Sequence, residues 1–192
     1  MGKVVARRLT FEEYLKMPET MRRYEIIDGV MRMTPAPSGR HQLVAFRLAR
    51  ILADFVEARG LGVVLMAPFD VILSREPLRT RQPDILFLSK ERGGEPEKVL
   101  ELPFLEVGPD LVVEVLSPSE GGAELEEKIL DYCRIGVREC WLVRPEEGVV
   151  EVLRLSECGP ERIGVFGRGE AARGEVLPGL EVSVDEIMGP RR

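Results

Sequence analysis

Asparagine is absent from this chain, glutamine occurs twice and histidine once, at position 41. A single histidine leaves no second imidazole for a Ser–His–Asp arrangement beyond one site. Together with three scattered cysteines (Cys133, Cys140, Cys158) and no C-x-x-C pair, it argues against a Cys/His zinc centre. An odd, scattered set of cysteines fits a reducing compartment, so a cytoplasmic location is expected. Lysine is scarce too: 5 against 22 arginines. Few thermolabile amides and 31% charged residues fit a thermophile, and a bias in genome base composition would produce the same pattern. No run approaches the roughly 20 apolar residues that cross a bilayer. The opening MGKVVARRLTFEEYL has basic residues but no apolar core, so no secretory signal is expected in it.

The chain has 192 residues, 44% of them hydrophobic, with mean hydropathy −0.05. That is enough to bury a core as one domain spanning 1–192. The net charge is −6, unevenly spread. Residues 1–60 hold 11 basic and 7 acidic side chains, and residues 61–192 hold 16 and 26. This excludes a protein that coats nucleic acid through general basicity. A polyanionic substrate would have to meet a local basic face or a bound cation.

The pattern predicts α/β architecture. Residues 10–17 read as a short helix with Thr10 and Glu13 spaced as a capping box. Residues 24–33 read as a hairpin turning at Asp28-Gly29. A long helix is expected over 41–59, its stripe being Val44, Leu48, Ile51, Leu52 and Phe55, stopped by Gly60. Strands are expected over 61–73 with a break at Pro68, 81–89, 110–117, 137–144 and 148–155. Residues 89–109 read mostly as loop, Ser117-Pro118-Ser119 as strand exit and turn, and 123–135 as a helix. Strand–helix–strand over 110–144 implies two parallel strands in a mixed sheet.

Two acids stand where acids are costly. Glu114 interrupts LVVEVLS, a strand apolar on both faces, and Asp84 follows Pro83 at the head of ILFL. Carboxylates at the ends of apolar strands suit Mg²⁺, which takes one or two protein carboxylates beside water and substrate phosphate. Either acid alone is explained as well by a turn or by one of the many arginines. Lys128, on the next helix, lies beside the stripe Leu125, Ile129, Tyr132, Cys133. It either points back to the sheet or pairs in solvent with Glu124.

Pro83-Asp84, then Glu114, then a lysine resembles the PD-(D/E)XK nuclease superfamily. YEIIDG, PSGRHQ, RQPDILFL, PDLVVEVLSPS, EKILDYCRIGVRECWLV and LPGLEV are more closely similar to the Uma-type family of restriction-endonuclease-like proteins, over about Leu9 to Ile187. The resemblance implies a core of helix, three strands, helix and strand. It also implies Mg²⁺ or Mn²⁺ and hydrolysis of DNA phosphodiesters by an endonuclease. On it, Asp84 and Glu114 would hold the metal and Lys128 would orient or activate the attacking water. Glu25 would be a possible extra ligand and His41 a substrate or phosphate contact. The chain departs from the (D/E)XK spacing, because Leu116 stands two residues after Glu114, so the lysine must come from the helix.

Other readings stay open. Glu25 fits a structural ion pair equally, His41 a local hydrogen bond, Trp141 the core, and Arg47 and Arg50 a solvated face. Net acidity and Leu116 are also compatible with a non-catalytic binding module on a nuclease fold. A metal-dependent hydrolase of small phosphorylated molecules is a third possibility. By analogy with nucleases that cut two strands, a homo-oligomer is expected.

Overall fold

The computed structural model describes residues 7–18, 20, 22–118 and 120–190. Ser119 of the expected turn and the first six residues of the opening segment lie outside the described residues. The short first helix, α1 (Phe11–Tyr14), carries the reciprocal Thr10–Glu13 capping box. It is followed by the hairpin β1 (Tyr24–Ile27) and β2 (Val30–Met33). Asp28 and Gly29 take φ of 52° and 79°, the left-handed pair that a type I′ turn requires.

The long helix α2 (Gly39–Ala58) starts two residues earlier than the periodicity suggested, because the Ser38 hydroxyl caps it by accepting from the His41 amide. The apolar run interrupted at Pro68 is two strands in different sheets, β3 (Gly62–Met66) and β4 (Asp70–Arg75). The sequence reading missed β5 (Leu78–Arg81), whose LRTR alternation has only one apolar residue. The strand expected at 81–89 begins later, as β6 (Ile85–Ser89), so Gln82-Pro83-Asp84 bridges two sheets. The expected loop 89–109 contains α3 (Lys90–Gly93), α4 (Pro96–Leu100) and β7 (Phe104–Leu105).

Strand β8 (Leu111–Val115) is buried at every position. It leads to α5 (Gly122–Arg134) and then β9 (Glu139–Arg144), and β8 and β9 are parallel as expected. The strands β10 (Val149–Ser156) and β11 (Gly159–Phe166) continue the sheet, and β12 (Ala171–Ala172), β13 (Val182–Ser183) and α6 (Val184–Met188) follow.

The six-stranded sheet runs β11-β10-β9-β8-β6-β3, and a five-stranded sheet runs β2-β1-β5-β4-β7. Strand alternation sorts the core. Leu111, Val113, Val115, Ile85 and Phe87 pack with α2, including Val44, Leu48 and Leu52, and with Val184 and Ile187 of α6. Val112, Leu86 and Leu142 pack with Ile129, Tyr132 and Cys133 of α5. Trp141 is core, as expected, and its indole N–H donates to Glu139 at 2.8 Å. Among the described residues, no helix is long and apolar enough to cross a membrane.

Helix α5 is tied to the second sheet by charge. Arg79 Nε and Arg81 Nε, both from β5, each donate to Asp131 at 2.9 Å, and Arg81 and Asp131 are almost completely buried. Replacing Asp131 by Ala takes one acid from each guanidinium, leaving Glu25 to Arg81 and Glu127 with Asp28 to Arg79. Urea unfolding of Asp131→Ala is expected to show a loss of about 1.5–3 kcal/mol. A change below about 1 kcal/mol would show that this clasp is not holding the helix.

Candidate active site

The site is built where β6 and β8 run side by side. Ile85 opposes Val113 in an antiparallel register, so Asp84, just before β6, comes opposite Glu114. Glu114 shares the face of Val112 and therefore looks toward α5. There the Tyr132 hydroxyl donates to Glu114 Oε1, and Lys128 Nζ lies 3.2 Å from Glu114 Oε2. The same ammonium is 3.2 Å from Glu25 Oε1 on β1. Glu25 Oε2 in turn accepts from Arg81 Nη1 at 2.6 Å. Lys128, Glu25 and Glu114 are thus one buried unit reaching across both sheets and α5.

Asp84 turns toward α2. Its Oδ2 accepts from the Val115 amide at 2.7 Å and meets His41 Nε2 at 3.1 Å. Its Oδ1 accepts from Arg23 Nη1 at 2.5 Å, while Arg23 Nη2 donates to the Gln82 carbonyl at 2.8 Å. Arg23 Nε and His41 Nδ1 are buried without partners among the described residues.

Burial dominates the electrostatics of Glu114, and the nearby charge of Asp84 adds to it. Against the opposing pull of Lys128, the carboxyl is pushed up to about 7. Asp84 goes the other way: burial would raise it, but the His41 hydrogen bond and the Arg23 charge hold it below the ordinary carboxylate range. Glu25 is also held low, Lys128 and Arg81 outweighing its burial. Lys128 is held protonated by Glu114 and Glu25 despite desolvation. Two carboxylates in adjacent positions, one depressed and one elevated, form an acid pair with different proton affinities at neutral pH.

The donor set consists of hard carboxylate oxygens, the type Mg²⁺ takes from one or two protein groups. Among the described residues, no three His, Cys, Asp or Glu side chains are gathered so as to hold a metal ion by themselves. A two-carboxylate site completed by water and substrate oxygens remains consistent with this. The strongest fit is Glu114, whose burial beside Asp84 raises the cost of its charge and so favours a cation there.

Five of the sequence-predicted residues fall in this neighbourhood: Asp84 with His41, and Glu114 with Lys128 and Glu25. Lys128 pairs with the sheet acids instead of Glu124. Arg47 is half-buried and its Nη1 contacts the Ile187 carbonyl at 3.4 Å, a structural role. Sequence reasoning missed Arg23, Arg81 and the polar role of Tyr132. Arginines are too numerous for any one to stand out, and Tyr132 sits on the apolar stripe. The one available signal was Arg81 directly before the Gln82-Pro83-Asp84 segment.

Three comparisons bear on this arrangement. A family model described as Uma2, "putative restriction endonuclease", matches residues 11–185. A solved structure described as a "putative nuclease belonging to DUF820" from Anabaena variabilis superposes with a TM-score of 0.76 at 23% identity. That match covers 94% of this chain and 97% of the other. No functionally curated protein matches the chain.

The Glu114 shift has a measurable consequence. Its carboxyl is raised above the unfolded value, so the folded state binds a proton more tightly. The stability this contributes is full below the unfolded pKa near 4.5 and is lost as pH rises through about 7. In metal-free buffer, wild-type stability relative to Glu114→Gln is expected to fall by a few kcal/mol, on the order of the shift, between pH 5 and 8. Parallel pH profiles for the two proteins would refute the raised carboxyl.

Proposed function

Because the chain belongs to the Uma2 family and has the restriction-endonuclease-like fold, we propose that it is a divalent-metal-dependent endonuclease that hydrolyses DNA phosphodiesters. The observation that carries this reading is Lys128 bridging Glu114 and Glu25 from a helix, with Asp84 on the neighbouring strand position. That restores a lysine to an acid pair whose strand places Leu116 where the lysine is usually found.

Asp84 and Glu114 would hold Mg²⁺, with Glu25 as an additional oxygen donor. The ion would supply polarisation of a phosphodiester oxygen and a more acidic water. Lys128 has three N–H donors, two of them engaged by Glu25 and Glu114, and the third is available to orient the attacking water. Tyr132 and Arg81 fix the two acids so that Lys128 is held in one place.

The partnerless Arg23 Nε and His41 Nδ1 suit a phosphate oxygen. Arg23 and His41 border a cavity of about 430 Å³ that also includes Ser38 and Arg40 at the start of α2. His41 is held above its ordinary value, Asp84 prevailing over burial, and the protonated ring would offer Nδ1 as a donor.

The clasp of Asp84 by Arg23 favours a second reading, a binding module in which the acid is only structural. Supercoiled plasmid and short duplexes incubated with Mg²⁺ or Mn²⁺ separate the two. Cleavage is expected, with a fall of about 10²-fold or more in Asp84→Asn and Glu114→Gln, and about 10²–10⁴-fold in Lys128→Met. Cleavage unchanged in all three variants would belong to a contaminant and remove these residues from the reaction, and no cleavage together with no Mg²⁺ binding by calorimetry would favour the second reading.

A further inference from the structure

A cavity of about 610 Å³ is walled by Tyr14, Tyr24, Phe69 and Phe104, with Asp70 and Gln82 also lining it. Its polar part is unusual. Gln82 is only 3% exposed, and its Nε2 donates to Asp70 Oδ1 at 3.1 Å, which leaves Oε1 buried with no partner among the described residues. Swapping the amide would set its oxygen against the carboxylate, so the orphan is the acceptor. Asp70 Oδ2 accepts from Tyr14 at 2.8 Å and Tyr24 at 3.2 Å, and Oδ1 retains acceptor capacity. Burial still leaves Asp70 above the ordinary carboxylate range in spite of those donors.

A ligand of this cavity would have two properties. It would be flat and apolar enough to lie against an aromatic wall, in which Tyr14 and Phe104 pack on each other with centroids 5.8 Å apart. It also carries hydrogen-bond donors along one edge, because the residues around Gln82 present acceptors. A guanine base meets both conditions, its ring N1–H and exocyclic amine standing side by side, whereas the same edge of adenine presents an acceptor at N1.

The position fits as well. Gln82 precedes Asp84 by two residues, and Arg23 grips both the Gln82 carbonyl and the Asp84 carboxylate. We propose that this cavity receives a nucleobase turned out of the DNA stack, with guanine preferred, beside the phosphodiester held at Asp84. The placement of the phosphodiester rests on the nuclease reading; the base pocket itself does not. Extruding a base costs a few kcal/mol, which such a pocket would offset by stacking and edge recognition.

Saturation-transfer NMR with guanosine, inosine and adenosine 5′-monophosphates tests the pocket on the intact protein. Saturation is expected on the base protons. Guanosine monophosphate should bind at least about tenfold more tightly than the adenosine nucleotide, with inosine between them. Gln82→Met should erase the preference, and Phe104→Ala should weaken all three.

Equal affinities for the three nucleotides, or saturation confined to the ribose, would overturn the proposal without depending on any variant. So would displacement of the nucleotide by arginine methyl ester at lower concentration, which would assign the cavity to a cation. Base selectivity without DNA cleavage would sink the nuclease reading and spare the pocket. Mg²⁺-dependent cleavage without base selectivity would do the reverse.

Discussion

Lys128 is the cation on which the arrangement turns. Its ammonium lies 3.2 Å from Glu25 of one sheet and 3.2 Å from Glu114 of the other, on a largely buried side chain. A buried lysine is tolerable only when opposite charges surround it, and a buried carboxylate only when a cation or donors do. Each partner therefore makes the other possible. Glu25 needs Arg81 as well, Arg81 needs Asp131, and Asp131 lies on the same helix as Lys128, one turn further on. The charges close into a loop through β1, β5, β8 and α5.

Closure of that loop explains why a helix can supply what a strand normally would. Two residues after Glu114, Leu116 is buried among apolar neighbours on the α5 side. Moving the cation to α5 frees it from the pleat, but then the helix must be fixed in rotation and height. Apolar packing by Ile129, Tyr132 and Cys133 sets the rotation. The Arg79 and Arg81 clasp on Asp131 sets the height. The Tyr132 hydroxyl performs both tasks, since its ring is core and its oxygen meets Glu114.

How much of this was legible in the sequence depends on the kind of signal. Local rules worked where the cause is local: the Thr10 capping box, the Asp28-Gly29 turn, the α2 stripe and the parallel β8–β9 pair. They failed where burial comes from tertiary structure. LRTR does not read as a strand, yet β5 sits between β1 and β4, and its arginines are buried by acids brought from distant segments. The two strand acids could be found because an acid in an apolar run is locally anomalous. Arg23 and Arg81 could not, because among 22 arginines the choice is made by the fold. Gln82 lay hidden for a related reason: nothing near it in sequence predicts that its amide oxygen would be buried without a donor.

The uneven charge of the chain then acquires a spatial meaning. Excess acid lies in residues 61–192, and excess base in residues 1–60. The first 60 residues contribute Arg23, Arg40 and His41 to the cavity beside Asp84, and Lys128 with Arg81 offsets Glu25 and Glu114 behind it. On the α2 side guanidinium and imidazole stand beside the carboxylates of Glu120 and Glu146, the second of which clasps Arg40. An overall charge of −6 is then no bar to a local contact, because at physiological salt charges more than about 8 Å away are largely screened. What it does remove is long-range attraction to any nucleic acid, so that binding must come from the shape and chemistry of the cleft itself.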